Sequence, residues 1–218
     1  MDKRFLTILA VIVLGFGGFV WLNKNKAGAP SSNVATGQTT KHLFGNGKKG
    51  VTLQEYGDYQ CPACFQYHPL VKKLADKYKD DIYLQFSNFP LLSVHRNAFA
   101  GARAAEAANK QGKFWEMHDM LYENQDPSGK TGWVADPDPL GTYFKSFATQ
   151  LSLDVAKFET DYRSEEINNL INSDLKAGQK AGVDSTPSFF INGKKITNPK
   201  DEAGFEKILT DAIASQKQ

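Results

Sequence analysis

The 218 residues carry 41% hydrophobic and 12% aromatic side chains, enough to bury the core of one ordinary domain and too many for a wholly disordered chain. Lys3, Arg4, Lys24 and Lys26 against Asp2 place +3 in the first thirty positions, so the formal net charge of +2 leaves −1 for everything downstream. With no basic stripe interleaved with aromatics, nucleic acid is not an expected partner.

From Phe5 to Leu22 no residue is charged. At the helical rise, such a run spans roughly 27 Å, close to the hydrocarbon thickness of a bilayer. Residues 1–22 are therefore expected to form a signal anchor, a single transmembrane helix. A cleaved signal peptide is the competing reading, with Ala27-Gly28-Ala29 as the small-residue site. The apolar run exceeds the usual length of about 7–15 residues, however, and Lys24, Lys26 and Pro30 surround that cut. Residues 23–40, dominated by Gly, Ala, Ser, Thr, Asn and Lys, read as a flexible linker to a domain over 41–218.

Val51 to Tyr56 alternates apolar and polar residues before Gly57-Asp58, which marks a strand ending in a turn with Asp58 as a turn residue. Next comes Tyr59-Gln60-Cys61-Pro62-Ala63-Cys64-Phe65, holding the only two cysteines of the chain. Phe65, His68, Leu70, Val71, Leu74, Ala75 and Tyr78 follow at helical spacing, with Pro69 expected to kink the helix or interrupt its hydrogen bonding. The pair thus opens a helix, where unpaired N–H groups and the helix dipole draw a thiol pKa from about 8.5 down to roughly 3.5–7.5. Cys61, at the tip, reads as the nucleophile, and Cys64, one turn inside, as the resolving thiol. With no further thiols there is no disulfide framework. Cys61, Cys64 and His68 could share a helix face as part of a zinc site. The remaining ligands would have to come from scattered His42, His95 and His118, and no metal is expected.

Ile82 to Phe86 reads as a second strand. Between Ser93 and Gly182 almost every signal is helical, and five helices are expected there. Their stripes are Ala98, Ala102 and Ala105; Phe114, Met117 and Leu121; then, after a loop from Asp126 to Pro139, Leu140 to Ala148. Asp154 caps a short fourth helix, and Ser164 caps a fifth that buries Ile167, Leu170, Ile171 and Leu175. The Phe114, Trp115 and Met117 cluster reads as core, and no flavin, haem or nucleotide is expected. His68 and His118 are read as solvated or satisfied side chains without chemistry. Thr186-Pro187 precedes a strand at Ser188 to Ile191, the hairpin signal Asn192-Gly193, a return strand to Ile196 and a last helix burying Phe205, Ile208, Leu209, Ala212 and Ile213.

Strand, helix, strand, helical block, hairpin and helix is the order of an α/β thioredoxin-like fold with a helical insertion over about 91–182. Three motifs recur in that order: Glu55-Tyr56-Gly57-Asp58-Tyr59-Gln60-Cys61-Pro62-Ala63-Cys64, Gln111-Gly112-Lys113-Phe114-Trp115-Glu116-Met117-His118-Asp119, and Thr186-Pro187-Ser188-Phe189-Phe190-Ile191-Asn192-Gly193. In these the chain resembles the DsbA-like thiol-disulfide oxidoreductases of the thioredoxin superfamily, from about His42 to the last helix.

The resemblance implies that Pro187 is cis and faces the cysteines, leaving the Thr186 backbone to pair with an extended substrate. It also implies that Glu55 is the buried acid that relays a proton to Cys64; an exposed, salt-bridged Glu55 is the alternative. Pro62 and Ala63 shape the active-site turn where strongly oxidising relatives often carry a histidine. No cofactor is implied beyond the Cys61–Cys64 disulfide. The expected partners are protein thiols and a quinone-linked membrane protein that reoxidises the pair, and the expected state is a monomer with its catalytic domain outside the cytoplasm. The function implied is a dithiol oxidase that passes its disulfide to exported proteins through a mixed disulfide at Cys61. A reductase or isomerase using the same cysteines, and a binding module or chaperone on this fold, are the competing readings.

Overall fold

Alternating apolar residues in two central strands build the sheet on which everything else is placed. The computed structural model describes residues 39–216. In chain order its elements are β1 (His42–Gly45), β2 (Val51–Gly57), α1 (Pro62–Lys77), β3 (Ile82–Asn88), α2 (Ala98–Asn109), α3 (Phe114–Glu123) and α4 (Gly132–Ala135). A π-helical turn (Leu140–Phe144) leads into α5 (Lys145–Gln150), α6 (Val155–Tyr162) and α7 (Glu165–Lys180), and β4 (Ser188–Ile191), β5 (Lys194–Lys195) and α8 (Glu202–Ser215) follow.

The strands lie in the order β1-β3-β2-β4-β5. β2 and β3 are parallel, joined through α1, and the other pairings are antiparallel. Side chains alternate across a strand, so Val51, Leu53 and Glu55 share one face of β2. On that side Val51, Leu53, Ile82, Leu84 and Phe189 pack with Val71, Leu74 and Ala75 of α1 and Phe205 and Leu209 of α8. Tyr56 and Phe190 join Phe89, Val183 and Leu175 in a smaller cluster. The helices of the insertion build their own core around Trp133, Phe144, Phe158 and the alanines of α2, and this core reaches Tyr59 and both cysteines.

This is the expected mixed α/β thioredoxin-like fold, with differences that have physical causes. β1 was not foreshadowed in the sequence; it forms because β3 offers it an edge, pairing His42 with Phe86. The segment 126–139, read as a plain loop, contains α4, whose Trp133 is fully buried and donates from Nε1 to the Leu121 carbonyl at 3.1 Å. α1 continues through Pro69, whose missing N–H interrupts the hydrogen bonding, as expected, without ending the helix. Thr40, assigned to the linker, is a fixed buried residue whose amide donates to Asp174 Oδ1 at 2.7 Å. Residues 23–38 of that linker and the expected span from Phe5 to Leu22 lie outside the described residues. Among the described residues, no helix is long and apolar enough to cross a membrane.

Candidate active site at the Cys61–Cys64 pair

β2 delivers the chain to Asp58, and a turn closed by the Cys61 amide donating to the Asp58 carbonyl at 3.0 Å places Cys61 as the N-cap of α1. Pro62 takes the first helical position, where its missing N–H costs nothing and its fixed φ suits the helix. Both cysteines are free thiols. Cys64 is fully buried, and Cys61, although at the tip of the helix, retains only 6% of its surface.

The Cys61 cover is the loop before β4. The Thr186–Pro187 bond is cis, and Cys61 Sγ donates to the Thr186 carbonyl at 3.4 Å. That loop is fixed by Asn198 Nδ2 donating to the Pro187 carbonyl at 2.7 Å and Ser188 Oγ donating to the Ser185 carbonyl at 2.8 Å. The Thr186 hydroxyl is buried with no other partner, so it is free to donate to a thiolate at Cys61.

The two thiols are driven apart electrostatically. Donation from the Cys64 thiol, opposed by burial and helped by the Thr186 hydroxyl and the amides of Ala63 and Cys64, brings the Cys61 thiol down to about 6. Burial pushes the Cys64 thiol well up, reinforced by its role as donor to Cys61 and by Glu55. One sulfur is therefore a thiolate at neutral pH while the other holds its proton.

Glu55 is buried on the sheet face that meets α1. Burial raises its pKa to about 8, with the Cys61 charge adding to the shift. Its carboxyl faces a cavity of about 170 Å³ that is also lined by His68, Lys72, Trp115, His118 and Asp119. Glu55 thus lines this cavity while its charge acts on the buried Cys64 thiol.

Several residues that sequence reasoning left without a role belong to this site. Asp58 is not a solvated turn residue: it is fully buried, and its carboxylate accepts from the Gln60 amide at 2.7 Å, the Leu91 amide at 2.8 Å and His95 Nδ1 at 2.8 Å. The Asp58 carboxylate raises the His95 pKa despite partial burial, which brings positive charge toward Cys61. Gln60 accepts from the Asn97 amide and donates to the Val134 carbonyl, and Gln125 Nε2 donates to the carbonyls of Tyr59 and Cys61. The insertion therefore grips the active-site turn from its far side. His68 and His118 are both buried; His118 is satisfied by Asp119, as one of the two readings had it, whereas His68 Nε2 has no hydrogen-bond partner, and both rings pack with Tyr122 and converge on Asp119.

Comparison with known proteins agrees with this geometry. The model of the Thioredoxin family matches residues 37–211. A Bacillus cereus protein named "Probable disulfide bond formation protein D" is 30% identical over 198 residues, 88% of this chain and 87% of its own length. The chain belongs to the thioredoxin family, among its DsbA-like thiol-disulfide oxidoreductases. A thioredoxin-like oxidoreductase from Silicibacter pomeroyi superposes on this DsbA-like domain with a TM-score of 0.64 at 26% identity, covering 81% of this chain and 92% of that one. The antiporter "Na(+)/H(+) antiporter NhaA 3" of Salinispora tropica is 34% identical over 176 residues, which are 81% of this chain. The DsbA-like chain spans about a quarter of that antiporter and of similar ones, so the match concerns one part of a longer protein.

Proposed function

We propose that this DsbA-like chain is a dithiol oxidase that works outside the cytoplasm, held to the membrane through residues 5–22. The observation that carries this reading is the unequal pair: Cys61 at the N-terminus of α1, its thiol down near 6, and Cys64 buried and protonated.

In the oxidised protein a substrate thiolate attacks Cys61 Sγ, the Cys61–Cys64 bond breaks, and Cys64 leaves as a thiolate that takes a proton. A second substrate thiolate then attacks the substrate sulfur of the mixed disulfide and expels Cys61, whose low pKa makes it a good leaving group. Two electrons pass from substrate to the pair, and the substrate gains a disulfide. Glu55 serves as the proton donor and acceptor for Cys64, and the edge at Thr186-Pro187 receives the extended substrate. The stabilised Cys61 thiolate favours the reduced form by about 1 kcal/mol at pH 7 once solvent access is allowed for, or about 20 mV in the oxidising direction. Exported protein thiols are the substrates, and a quinone-linked membrane partner restores the disulfide. Disulfides persist in that compartment and not in cytosol.

Equilibration of the full chain with glutathione tests the direction: a potential near −120 mV is expected, and one near about −270 mV would reverse it to a reductase. Cys64→Ala tests the chemistry itself. It should accumulate covalent, reductant-sensitive adducts on Cys61 in cells, and their absence would leave only a binding module.

A further inference from the structure

One turn beyond Cys64 along α1, His68 and, from α3, His118 and Asp119 offer three ligand atoms within 4.8 Å of one another. Asp119 Oδ1 lies 3.3 Å from His118 Nδ1 and 3.6 Å from His68 Nε2. Two ligands each about 2.0–2.1 Å from a tetrahedral ion stand about 3.3 Å apart, so the two separations to Asp119 need only a few tenths of an ångström of closure, and the two imidazole nitrogens, within 4.8 Å of each other, close by rotation of the His68 ring.

Three further features distinguish this cluster from a chance grouping of polar residues. His68 keeps 8% of its surface, and its Nε2 is buried without a hydrogen-bond partner, a cost that calls for an explanation. All three residues line the cavity of about 170 Å³, which leaves a fourth position open to solvent. The rings are also held in place before any ion arrives. His68 stacks on Tyr122 with centroids 4.9 Å apart, and His118 is boxed by Phe86, Trp115 and Tyr122 at 4.8, 5.1 and 5.1 Å.

We propose that His68, His118 and Asp119 form a binding site for a transition-metal dication, of which zinc is the best fit, with water from the cavity as the fourth ligand. Two imidazoles and one carboxylate are the donor set that borderline ions such as zinc prefer, whereas calcium and magnesium call for oxygen ligands throughout. The Lys72 ammonium bonds Asp119 through Oδ2, and the ion takes Oδ1, so Lys72 weakens the site without blocking it. Because Glu55 lines the same cavity, an ion held here sits beside the group assigned to proton exchange with Cys64, although the site stands whether or not the oxidase reading does.

The test uses the oxidised full-length chain, in which the Cys61–Cys64 disulfide removes thiolates that would compete for metal. It is titrated with zinc chloride by calorimetry and with cobalt chloride by absorption. One zinc per chain with a Kd below about 0.1 mM is expected. His68→Gln and Asp119→Asn should each lose at least about tenfold, since removing even an outer-shell partner of a metal ligand costs 10–100-fold. In the unsubstituted protein zinc should shift the ring resonances of His68 and His118 and leave those of His42 and His95 in place, which decides the matter should either variant fail to fold. Weaker binding, binding that both folded variants retain, or unmoved His68 and His118 resonances would each overturn the site. Dithiol oxidation is measured separately on the metal-free protein, so failure of one reading leaves the other standing.

Discussion

At Glu55 a stability cost coincides with the chemical role proposed for it. Its folded pKa near 8 lies above the usual 4.5, so the native state prefers the proton; the cost is nil below about pH 4.5, grows as pH rises and levels off above 8. At pH 7 the full shift corresponds to about 3 kcal/mol. Replacing Glu55 by Gln removes the ionisation but leaves a buried amide to satisfy, so we expect about 1–3 kcal/mol of added stability at pH 8 and none at pH 4. Urea unfolding of the oxidised protein at both values checks this; an equal effect at the two would mean that Glu55 is not held protonated. The same variant should slow Cys64 attack on a Cys61 mixed disulfide by about 100-fold at pH 7, because the thiol loses the proton acceptor proposed for it. At this scale the sequence was informative where function is local. The C-x-x-C spacing places Cys61 and Cys64 on one helix start, and period-two counting from Val51 places Glu55 on the core face. His95 and His118 carried no such signal, since what they touch lies in other elements.

The joint between β2 and the insertion adds the Asp58 carboxylate to the apolar contacts of Tyr56 and Tyr59. That carboxylate takes three hydrogen bonds, two of them from the Leu91 amide and His95, which lie 33 and 37 residues away. Leaving buried amides unpaired costs about 1–3 kcal/mol each. Asp58→Ala should therefore destabilise both redox forms by about 2–4 kcal/mol, and Asp58→Asn, which keeps one acceptor oxygen, should cost less; chemical unfolding of the two variants separates these outcomes. Gly57-Asp58 after a strand has the composition of a turn, and it is one. What composition cannot convey is that this turn is covered by the segment after β3. β1 shows the same limit. His42-Leu43-Phe44-Gly45 is too short to show alternation, and it becomes a strand because β3 leaves an edge to fill and because His42 stacks on Phe114 at 3.4 Å and reaches Glu106 Oε1 at 2.7 Å. Longer helices with their own caps were legible: Ser164 and Asp154 cap α7 and α6 as their sequences suggest, by accepting from the amides of Ile167 and Lys157.

For the whole molecule, redox potential and folding stability are one quantity viewed along two sides of a thermodynamic cycle. Each 1.4 kcal/mol by which the dithiol form outlasts the disulfide form, relative to the unfolded chain, raises the potential by about 30 mV. The Cys61 thiol, lowered from 9.0 to about 6, contributes stability to the reduced protein that is fully present above pH 9 and lost as pH falls through 6. Glu55 pulls the other way over pH 4.5–8, but it does so in both redox forms and largely cancels in their difference. The stability of the reduced protein minus that of the oxidised one should therefore be smallest below pH 5 and climb between pH 6 and 8. Above pH 9 the buried Cys64 thiol, whose pKa is raised, turns the trend down. Parallel guanidinium unfolding of the two forms across this range checks the slope. A flat difference from pH 5 to 8 would mean that the native fold does not stabilise the Cys61 thiolate, and any oxidising potential would then have to come from strain in the disulfide form.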